Sequence, residues 1–449
     1  MSTKSPHVLV IGGGIGGLCL AQGLKKAGVS VAVYERDFTP DARQQGYRIN
    51  VNSAGATALR DCLSGPLWDV LIATAGDAGR GIAFMDEKMH ELVTLRADGP
   101  GPDSTDPTHG EHAVSRITLR KILLAGLGDL VHFDKEFVRY ESHMDGTVTA
   151  IFADGTTATG DILIGADGSR SRVRAQLLPA ATVTDIPAVG CAGKLMLTEQ
   201  TLRWLPSSLT TRKNVFWPRQ DFLFTAVFRR REDPAEIAER IGDQLATLGL
   251  DAKELIEDSR DNDYVMWAMI GHRDTFPPDF SDATGETIRA TIKGRIATWH
   301  PHLRRLIAES AHDQLRAVGF TAATPVPAWR TSNVTVLGDA IHHMPPVGGL
   351  GGNTALRDAR LLCQALTRVD AGTSALLPAI ENYEAALRKY GFETVGEAVR
   401  NTRQAISRNP VGRSLTRTFF RVCGAVPAIR RATLEDSDVY DPQPVEPAR

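Results

Sequence analysis

Short apolar runs alternate with helical patterns in the first part of the chain. Residues 7–11 (HVLVI) and 30–34 (SVAVY) are β-branched runs with the length of buried parallel strands. Between them, residues 15–27 place apolar side chains at helical spacing. Strand and helix signals continue to alternate up to about residue 80. This pattern predicts an α/β domain built on a parallel sheet.

The hydrophobic pattern changes in the middle of the chain. Aromatic-rich strand signals at 215–217, 222–228 and 264–269 alternate there with charged helical stretches such as 234–248. The pattern of a buried strand returns at 334–337. We therefore expect an α+β chain overall, in which a mainly antiparallel sheet domain is inserted into the α/β domain. The expected bounds are 1–178 and 326–398 for the α/β domain and 179–325 for the inserted one, with contributions from about 80–100.

The C-terminal stretch is basic and amphipathic. Residues 399–434 carry arginines among apolar side chains and predict a helical segment that caps the rest of the molecule. The alternative is a helix that lies on an anionic membrane. Pro410, Gly412, Gly424 and Pro427 limit a continuous helix and favour the cap, so membrane contact is not expected. Residues 435–449 are acidic and rich in proline, which is typical of a disordered tail.

Composition narrows the class of protein. With 449 residues, 42% hydrophobic and 23% charged, the chain has enough apolar surface for a large core. A net charge of −2 and the lack of basic runs interleaved with aromatics argue against a nucleic-acid partner. The first residues lack the apolar stretch of a signal peptide, and no segment reaches 18 uninterrupted apolar residues. We expect a cytoplasmic enzyme, monomeric or homodimeric.

The five cysteines offer no chemistry of their own. They are scattered, odd in number and never form a Cys-x-x-Cys pair. Neither a disulfide framework nor a metal site is indicated. We expect reduced structural thiols.

A glycine turn joins the first strand to the first helix. Gly12 permits the tight turn, Gly14 lets the backbone approach a pyrophosphate, and Gly17 lets the helix pack close to the strand. The helix N-terminus then faces the phosphates. Glu35 ends the second strand, 18 residues after Gly17, where a carboxylate binds the hydroxyls of an adenosine ribose. The turn predicts a Rossmann-like site for FAD or NAD, and its alternative is a purely structural βαβ turn.

Two later segments give the glycine turn its meaning. Residues 161–174 (DILIGADGSRSRVR) begin with a buried strand, and residues 338–358, beginning GDAIHHMPPVGGLGGNTAL, follow one. With the glycine turn and Glu35-Arg36, in this order, they resemble the motifs of the FAD-dependent monooxygenases of the para-hydroxybenzoate hydroxylase type. This group includes aromatic hydroxylases, epoxidases and natural-product tailoring enzymes. The resemblance covers the chain to about residue 400.

The resemblance implies a set of FAD-binding residues. In the first motif and its surroundings they are Gly12, Gly14, Ile15, Gly16, Gly17, Glu35, Arg36, Arg43 and Arg116. In the two later motifs they are Asp167, Gly338, Asp339, Pro346, Gly349, Gly351, Gly352 and Asn353. Asp339 would accept hydrogen bonds from the ribitol hydroxyls, and the helix that opens near Gly349 would face the flavin pyrimidine edge with its positive end. For Arg43 and Arg116 the alternative is a surface ion pair.

The resemblance also implies the chemistry. NADPH or NADH would reduce FAD, O₂ would form a C4a-(hydro)peroxyflavin, and one oxygen atom would hydroxylate or epoxidise an organic substrate. No second strand-glycine-helix unit exists for a nicotinamide, so NAD(P)H would bind transiently near Asp167 and Arg174. A reductase of similar fold that ignores O₂ is the alternative. Halogenation is disfavoured because Trp-x-Trp is missing, and a non-catalytic carrier because the ribitol motif is intact.

The resemblance also indicates where the substrate would bind. Strands of the inserted domain roof the flavin in this family, which makes an apolar or aromatic substrate the expectation. The candidate contacts are Trp217, Phe222, Phe224, Trp267 and Met269. The alternative assigns about half of these side chains to ordinary sheet core. No carboxylate or histidine pair stands out as a general base, and the candidates for catalysis are Tyr47, Arg48 and His343, with Gln45 as a further contact.

Overall fold

The computed structural model describes residues 5–40, 47–77, 79, 81–95, 106–256, 263–311 and 315–435. Arg43, Gln45 and residues 436–449, for which the sequence predicts roles, lie outside these ranges.

The described residues form strands and helices throughout. In chain order the strands are β1 (Val8–Ile11), β2 (Val31–Tyr34), β3 (Arg48–Val51), β4 (Ile82–Met85), β5 (Glu91–Leu95), β6 (His112–Ser115), β7 (Val131–His132), β8 (Phe137–Ser142), β9 (Val148–Phe152), β10 (Thr157–Gly160), β11 (Ile162–Gly165), β12 (Val183–Met196), β13 (Lys213–Phe216), β14 (Phe222–Phe228), β15 (Tyr264–His272), β16 (Arg316–Ala323) and β17 (Val334–Val336). The helices are α1 (Ile15–Lys26), α2 (Ser53–Cys62), α3 (Gly65–Thr74), α4 (Arg116–Leu124), α5 (Arg172–Leu177), α6 (Glu199–Leu202), α7 (Ser207–Thr211), α8 (Pro234–Ala246), α9 (Ala252–Ile256), α10 (Gly285–Arg295), α11 (Pro301–Ala308), α12 (Asp339–His342), α13 (Leu350–Asp370), α14 (Leu376–Ala405), α15 (Pro410–Ala425) and α16 (Pro427–Arg430).

A parallel sheet with the order β17-β11-β1-β2-β7 forms the first layer within the described residues. Val8, Leu9 and Val10 of the central strand are fully buried, as expected where helices cover both faces of a parallel sheet. Helix α1 packs against α13, which returns from the far end of the chain. The carboxyl ends of β1, β2, β11 and β17 therefore meet at one edge. The Rossmann-like part of the expected fold is confirmed.

A second sheet has the order β16-β12-β15-β14-β13-β4-β5. Its described pairs are antiparallel except β13 with β4, which run parallel. Strands β4 and β5 come from residues 82–95, so a segment of the first half of the chain completes this sheet. The mainly antiparallel sheet predicted from the aromatic-rich runs is thus present, and the fold class is confirmed.

Helix α15 is continuous, whereas the sequence predicted that prolines and glycines would limit it. It runs without interruption from Pro410 to Ala425, because Pro410 occupies the first turn, where its missing N–H costs nothing. Gly424 lies where a Cβ atom would be 2.2 Å from the Leu92 carbonyl oxygen, so the glycine allows the helix to touch β5. Of the residues expected to limit the helix, Pro410 and Pro427 coincide with boundaries, since α15 begins at the first and α16 at the second.

Candidate active site

A cleft of about 2080 Å³ separates the carboxyl edge of the parallel sheet from one face of the second sheet. Its wall also includes residues of α15. A pocket for one small molecule usually measures about 300–1,000 Å³, so this cleft has room for two ligands side by side. All the described residues that the resemblance assigned to FAD line this one cleft.

The glycine turn follows β1 at the edge of the cleft. Gly12 has φ 111°, and a Cβ there would lie 2.4 Å from the Ala166 carbonyl oxygen. A Cβ at Gly17 would lie 2.2 Å from the Gly12 carbonyl oxygen, so helix and strand touch at this point. Around Gly14, by contrast, no atom of the described residues comes within 4 Å of a Cβ position. The backbone at Gly14 thus borders open space in which a ligand can sit.

Glu35 closes the turn from the end of β2. Its side chain is buried and accepts hydrogen bonds from the Gly13 N–H at 2.7 Å and the Asp37 N–H at 3.1 Å. The carboxylate therefore fixes the glycine turn to β2 while it borders the cleft. Arg36, the next residue, is exposed and also lines the cleft.

Asp167 stabilises the loop after β11. Its carboxylate accepts from the Ser171 hydroxyl at 2.5 Å and from the N–H groups of Arg172 and Val173 at 2.7 and 3.2 Å. Burial raises the pKa of Asp167 and outweighs these hydrogen bonds. Arg174 donates to the carbonyl oxygens of Ser169 and Ala340, at 3.1 and 2.8 Å. The middle motif is thereby joined to the third one.

Asp339 follows β17 and begins α12. Its side chain is 50% exposed at the cleft, and His343 Nδ1 lies 3.8 Å from its carboxylate. Burial opposes the charged form, but His343, His342 and Arg116 together outweigh it and lower the pKa of Asp339. The carboxylate therefore stays ionised and is available as a hydrogen-bond acceptor. Arg116 begins α4 and lines the same cleft.

A buried network supports Asp339 from below. His342 Nε2 lies 2.6 Å from Asp358 Oδ2, which also accepts from the Gly338 N–H at 2.7 Å. The Tyr390 hydroxyl donates to the other oxygen of Asp358. Although burial alone would lower it, the pKa of His342 is raised, because Asp358 favours the imidazolium. The Gly338-Asp339 turn is therefore held by the His342–Asp358 pair beneath it.

The start of α13 forms another side of the cleft. Gly349 has φ 68° and precedes the first helical residue, Leu350. Asn353 Nδ2 donates to the Asn50 carbonyl at 2.8 Å, and its Oδ1 accepts from the Asn52 N–H at 3.0 Å. Asn353 thus attaches α13 to the end of β3. The helix presents its amino end, with Gly351 and Gly352, to the cleft.

The opposite wall is aromatic. Trp217, Phe222 and Phe224 line it, as predicted from the sequence. Phe84 of β4 and Phe420 of α15 join them, with a distance of 4.4 Å between ring centroids. Neither of these two was anticipated, since each comes from a segment far from the predicted aromatic strands.

Trp267 and Met269, which were predicted to contact the substrate, do not line the cleft. Both lie on the face of β15 turned away from the cleft, among Ile288, Leu303 and other residues of α10 and α11. Trp267 is fully buried and donates its indole N–H to Ser310 Oγ at 2.8 Å. Met266, Ala268 and Ile270 face the cleft instead. Both sets of alternate residues on β15 are mainly apolar, so the sequence pattern does not reveal which set faces the cleft.

Of the three catalytic candidates, Tyr47 and Arg48 line the cleft, whereas His343 does not. Tyr47 lines the cleft and donates to the Ala192 carbonyl at 2.9 Å; burial raises the pKa of Tyr47 to about 12, so it remains protonated. Arg48 donates to the Val227 carbonyl at 2.6 Å and to Asn50 Oδ1 at 3.3 Å, which joins β3 to the second sheet. His343 is not among the lining residues, and its Nε2 shares a hydrogen bond of 2.9 Å with Thr321. His343 therefore lies beside Asp339 rather than at the surface of the cleft.

One polar cluster in the cleft was not predicted from the sequence. Lys213 Nζ lies 2.5 Å from Glu111 Oε2, and Asn50 Nδ2 donates to Glu111 Oε1 at 3.0 Å. All three residues line the cleft. Burial opposes ionisation of Glu111, but Lys213, Asn50 and Arg48 outweigh it and lower its pKa. The strand period offered one signal: Lys213 lies on the same face of β13 as Val215 and Trp217.

Comparison with known proteins identifies the family to which the chain belongs. A family model described as an FAD binding domain matches residues 5–190 and 281–393. The chain belongs to this FAD-binding family. The family resemblance and the expected cofactor, FAD, are thereby confirmed.

Several proteins similar to this FAD-binding chain are named as monooxygenases. The dual O-methyltransferase/FAD-dependent monooxygenase of Phaeosphaeria nodorum is 33% identical over 86% of the chain but only 42% of its own length. A crystal structure of a putative FAD-containing monooxygenase from Photorhabdus luminescens has a TM-score of 0.76 and 32% identity, covering 90% of this chain and 99% of that one. Klebsiella pneumoniae HpxO with FAD and uric acid, at 22% identity, covers 95% of each chain with a TM-score of 0.73 and shows the fold. The chain spans less than half the length of the fungal relative.

The residues of the cleft fit FAD. Gly14 leaves space for a pyrophosphate, Asp339 is an ionised and accessible acceptor, and the amino end of α13 supplies a positive dipole. Arg36 and Arg116 contribute positive charge to the same space. The glycine turn, Asp339 and α13 come from three distant segments, and the parallel sheet brings them to one edge.

Proposed function

We propose that the protein is an NAD(P)H-dependent FAD monooxygenase that inserts one atom of O₂ into an electron-rich aromatic small molecule. The observation that carries the proposal is the single cleft that joins the FAD motif residues to an aromatic wall. Bound FAD would supply the two-electron and oxygen-activating chemistry. The alternative of a reductase without oxygen insertion is not favoured by the monooxygenase names of the relatives.

The proposed roles of the cofactor residues follow from their surroundings. Glu35 would accept hydrogen bonds from the ribose of the adenosine, and Asp339 from the ribitol. The N–H groups beside Gly14 would hold the pyrophosphate. The amino end of α13 would favour negative charge on the pyrimidine edge of the flavin, and so its reduction.

The proposed substrate has an aromatic body and a polar substituent. Trp217, Phe222, Phe224 and Phe420 form an apolar wall that would exclude water from the reacting ring. The cluster of Asn50, Glu111 and Lys213 would bind a hydroxyl, carbonyl or carboxylate on the same molecule. The names of similar proteins include a urate hydroxylase and a 2,6-dihydroxypyridine-3-hydroxylase, whose substrates are ring compounds rich in oxygen and nitrogen.

Three further assignments extend the proposal. NAD(P)H would bind transiently near Asp167 and Arg174. The domains would be divided as the sequence indicates, with α15 as a lid on the cleft, and the enzyme would act in the cytoplasm. Because fungal relatives carry an O-methyltransferase in the same chain, a hydroxyl formed here suits later O-methylation in natural-product tailoring.

Turnover in isotopically labelled O₂ tests the proposal. The purified protein should be yellow with bound FAD, and a panel of hydroxylated and amino-substituted aromatics should include a compound that stimulates both NADPH oxidation and O₂ consumption. Mass spectrometry should find one labelled oxygen in the product. Asp339→Ala should lose FAD and both activities, whereas Asp243→Ala, an exposed carboxylate on α8, should retain them. NADPH oxidation that yields a reduced product without oxygen incorporation would identify a reductase instead.

A further inference from the structure

Helix α15 and the short helix α16 carry an exposed apolar stripe. Val411, Leu415, Phe419 and Val422 of α15 are 65%, 65%, 40% and 40% exposed. At about 100° per residue these four positions fall within about 80° of arc on one face of the helix. Val426 and Ile429, 40% and 38% exposed, continue the series into α16. We call these six residues the outer stripe.

The outer stripe is concentrated rather than incidental. Six of the 14 exposed large apolar side chains in the described residues lie within it, and the other eight are distributed along the chain between Phe38 and Leu377. Single exposed apolar residues need no explanation, but a contiguous patch marks an interaction surface.

The opposite face of α15 is firmly packed. Arg413, Phe420 and Cys423 are buried, and Arg413 donates to the carbonyl oxygens of Pro218 and Ala405, at 3.0 and 2.9 Å. Burying the outer stripe by rotating the helix would therefore break these contacts. The stripe stays outside while the inner face covers the cleft.

The positive charge around the outer stripe favours an anionic partner. Residues 399–434 contain eight arginines and no aspartate or glutamate. The side chains of Arg408 and Arg421 are 61% and 56% exposed, and their acidic neighbours lie at 3.4 and 4.0 Å. A second copy of this helix would bring arginine against arginine, whereas an anionic bilayer offers both negative charge and an apolar layer.

We propose that the outer stripe and its arginines attach the protein peripherally to an anionic lipid bilayer. The apolar side chains would enter the boundary between headgroups and acyl chains, with the arginines at the phosphates. Within the described residues, no helix is both long and apolar enough to cross a bilayer. From the sequence, a helical cap and a membrane-surface helix are alternatives. In this proposal both roles belong to α15, one on each of its opposite faces.

The surface also suggests a route for an apolar substrate. Phe419 belongs to the outer stripe and lines the cleft, and Thr416, one turn earlier, lines it as well. The mouth of the cleft would therefore open beside the bilayer.

Vesicle flotation of the full-length, FAD-loaded protein tests the attachment. Phosphatidylcholine vesicles with about 30% phosphatidylserine should carry the protein upward, and vesicles of phosphatidylcholine alone should not. Val411→Ser/Leu415→Ser should lose about tenfold or more in lipid affinity. Arg408→Gln/Arg421→Gln should lose about fivefold for each arginine.

Matched controls separate attachment from folding. Leu202→Ser/Leu377→Ser removes exposed apolar side chains elsewhere and should bind like the unchanged protein. FAD absorbance and Tm should be equal in all variants, because none of the altered residues lines the cleft. No flotation with anionic vesicles, or undiminished flotation of Val411→Ser/Leu415→Ser, would overturn the proposal. A dimer in lipid-free light scattering that this variant abolishes would overturn it in favour of a second copy.

Discussion

At the scale of the residue, Gly14 and Gly17 belong to one turn but meet opposite surroundings. A Cβ at Gly17 would collide with the Gly12 backbone at 2.2 Å, whereas a Cβ at Gly14 would meet only the space of the cleft. One glycine is therefore needed by the fold and the other by the ligand.

Alanine substitution should separate these two needs. Gly17→Ala should lower the yield of folded protein, since backbone must shift to relieve an overlap of this size. Gly14→Ala should fold with an apo-protein Tm close to that of the unchanged protein but bind FAD at least about tenfold more weakly. Thermal unfolding and FAD titration of the apo proteins measure both effects. Full FAD affinity in Gly14→Ala would contradict the position assigned to the pyrophosphate.

At the scale of the element, α15 depends on one buried guanidinium. Arg413 donates to carbonyl oxygens on the loop before β14 and at the end of α14, and its guanidinium lies 5.1 Å from the centroid of Trp217. Burial lowers the pKa of Arg413 to about 10, so it remains charged at neutral pH. The arginine thus connects the C-terminal helix to the aromatic wall.

Arg413→Met should loosen α15 without removing the flavin. The substitution leaves several buried carbonyls unsatisfied and should cost roughly 3 kcal/mol of stability. Arg413→Lys should recover only part of this, because an ammonium lacks the planar fork that reaches separate carbonyls. Limited proteolysis should cut near α15 in Arg413→Met, while FAD content stays unchanged. Equal protease resistance in the variant and the unchanged protein would show that the helix is held by other contacts.

At the scale of the whole molecule, the His342–Asp358 pair connects the parallel sheet to helices from the C-terminal part of the chain. It joins the turn after β17 to α13, and Tyr390 adds α14. The pKa of His342 is raised in the folded protein, so the folded state binds a proton more tightly than the unfolded chain. This contribution is fully present below the unfolded value of about 6.5 and is lost as the pH rises through the raised folded value.

His342→Gln should remove that part of the pH dependence. The difference in Tm between the unchanged protein and the variant should be largest near pH 6 and should shrink as the pH rises above about 7, since only the imidazolium carries the charge that Asp358 stabilises. Thermal unfolding across this range measures it, with His132→Gln at the surface as a control. A difference that grows with pH would contradict the charged pair.

The sequence alone determined the cofactor half of this protein. Strand and helix periods, glycines at a turn and acids at strand ends are local signals, and one parallel sheet brings them to one edge wherever they stand in the chain. All described residues predicted to bind FAD therefore share the cleft. Tertiary structure decided the substrate half. Contacts between distant segments decide which face of β15 meets the cleft. They also pair Lys213 with Glu111, 102 positions away, and add Phe84 and Phe420 to the aromatic wall. The local periodic pattern does not encode contacts between distant segments, and on β15 both sets of alternate residues are apolar, so the pattern does not distinguish the face that meets the cleft.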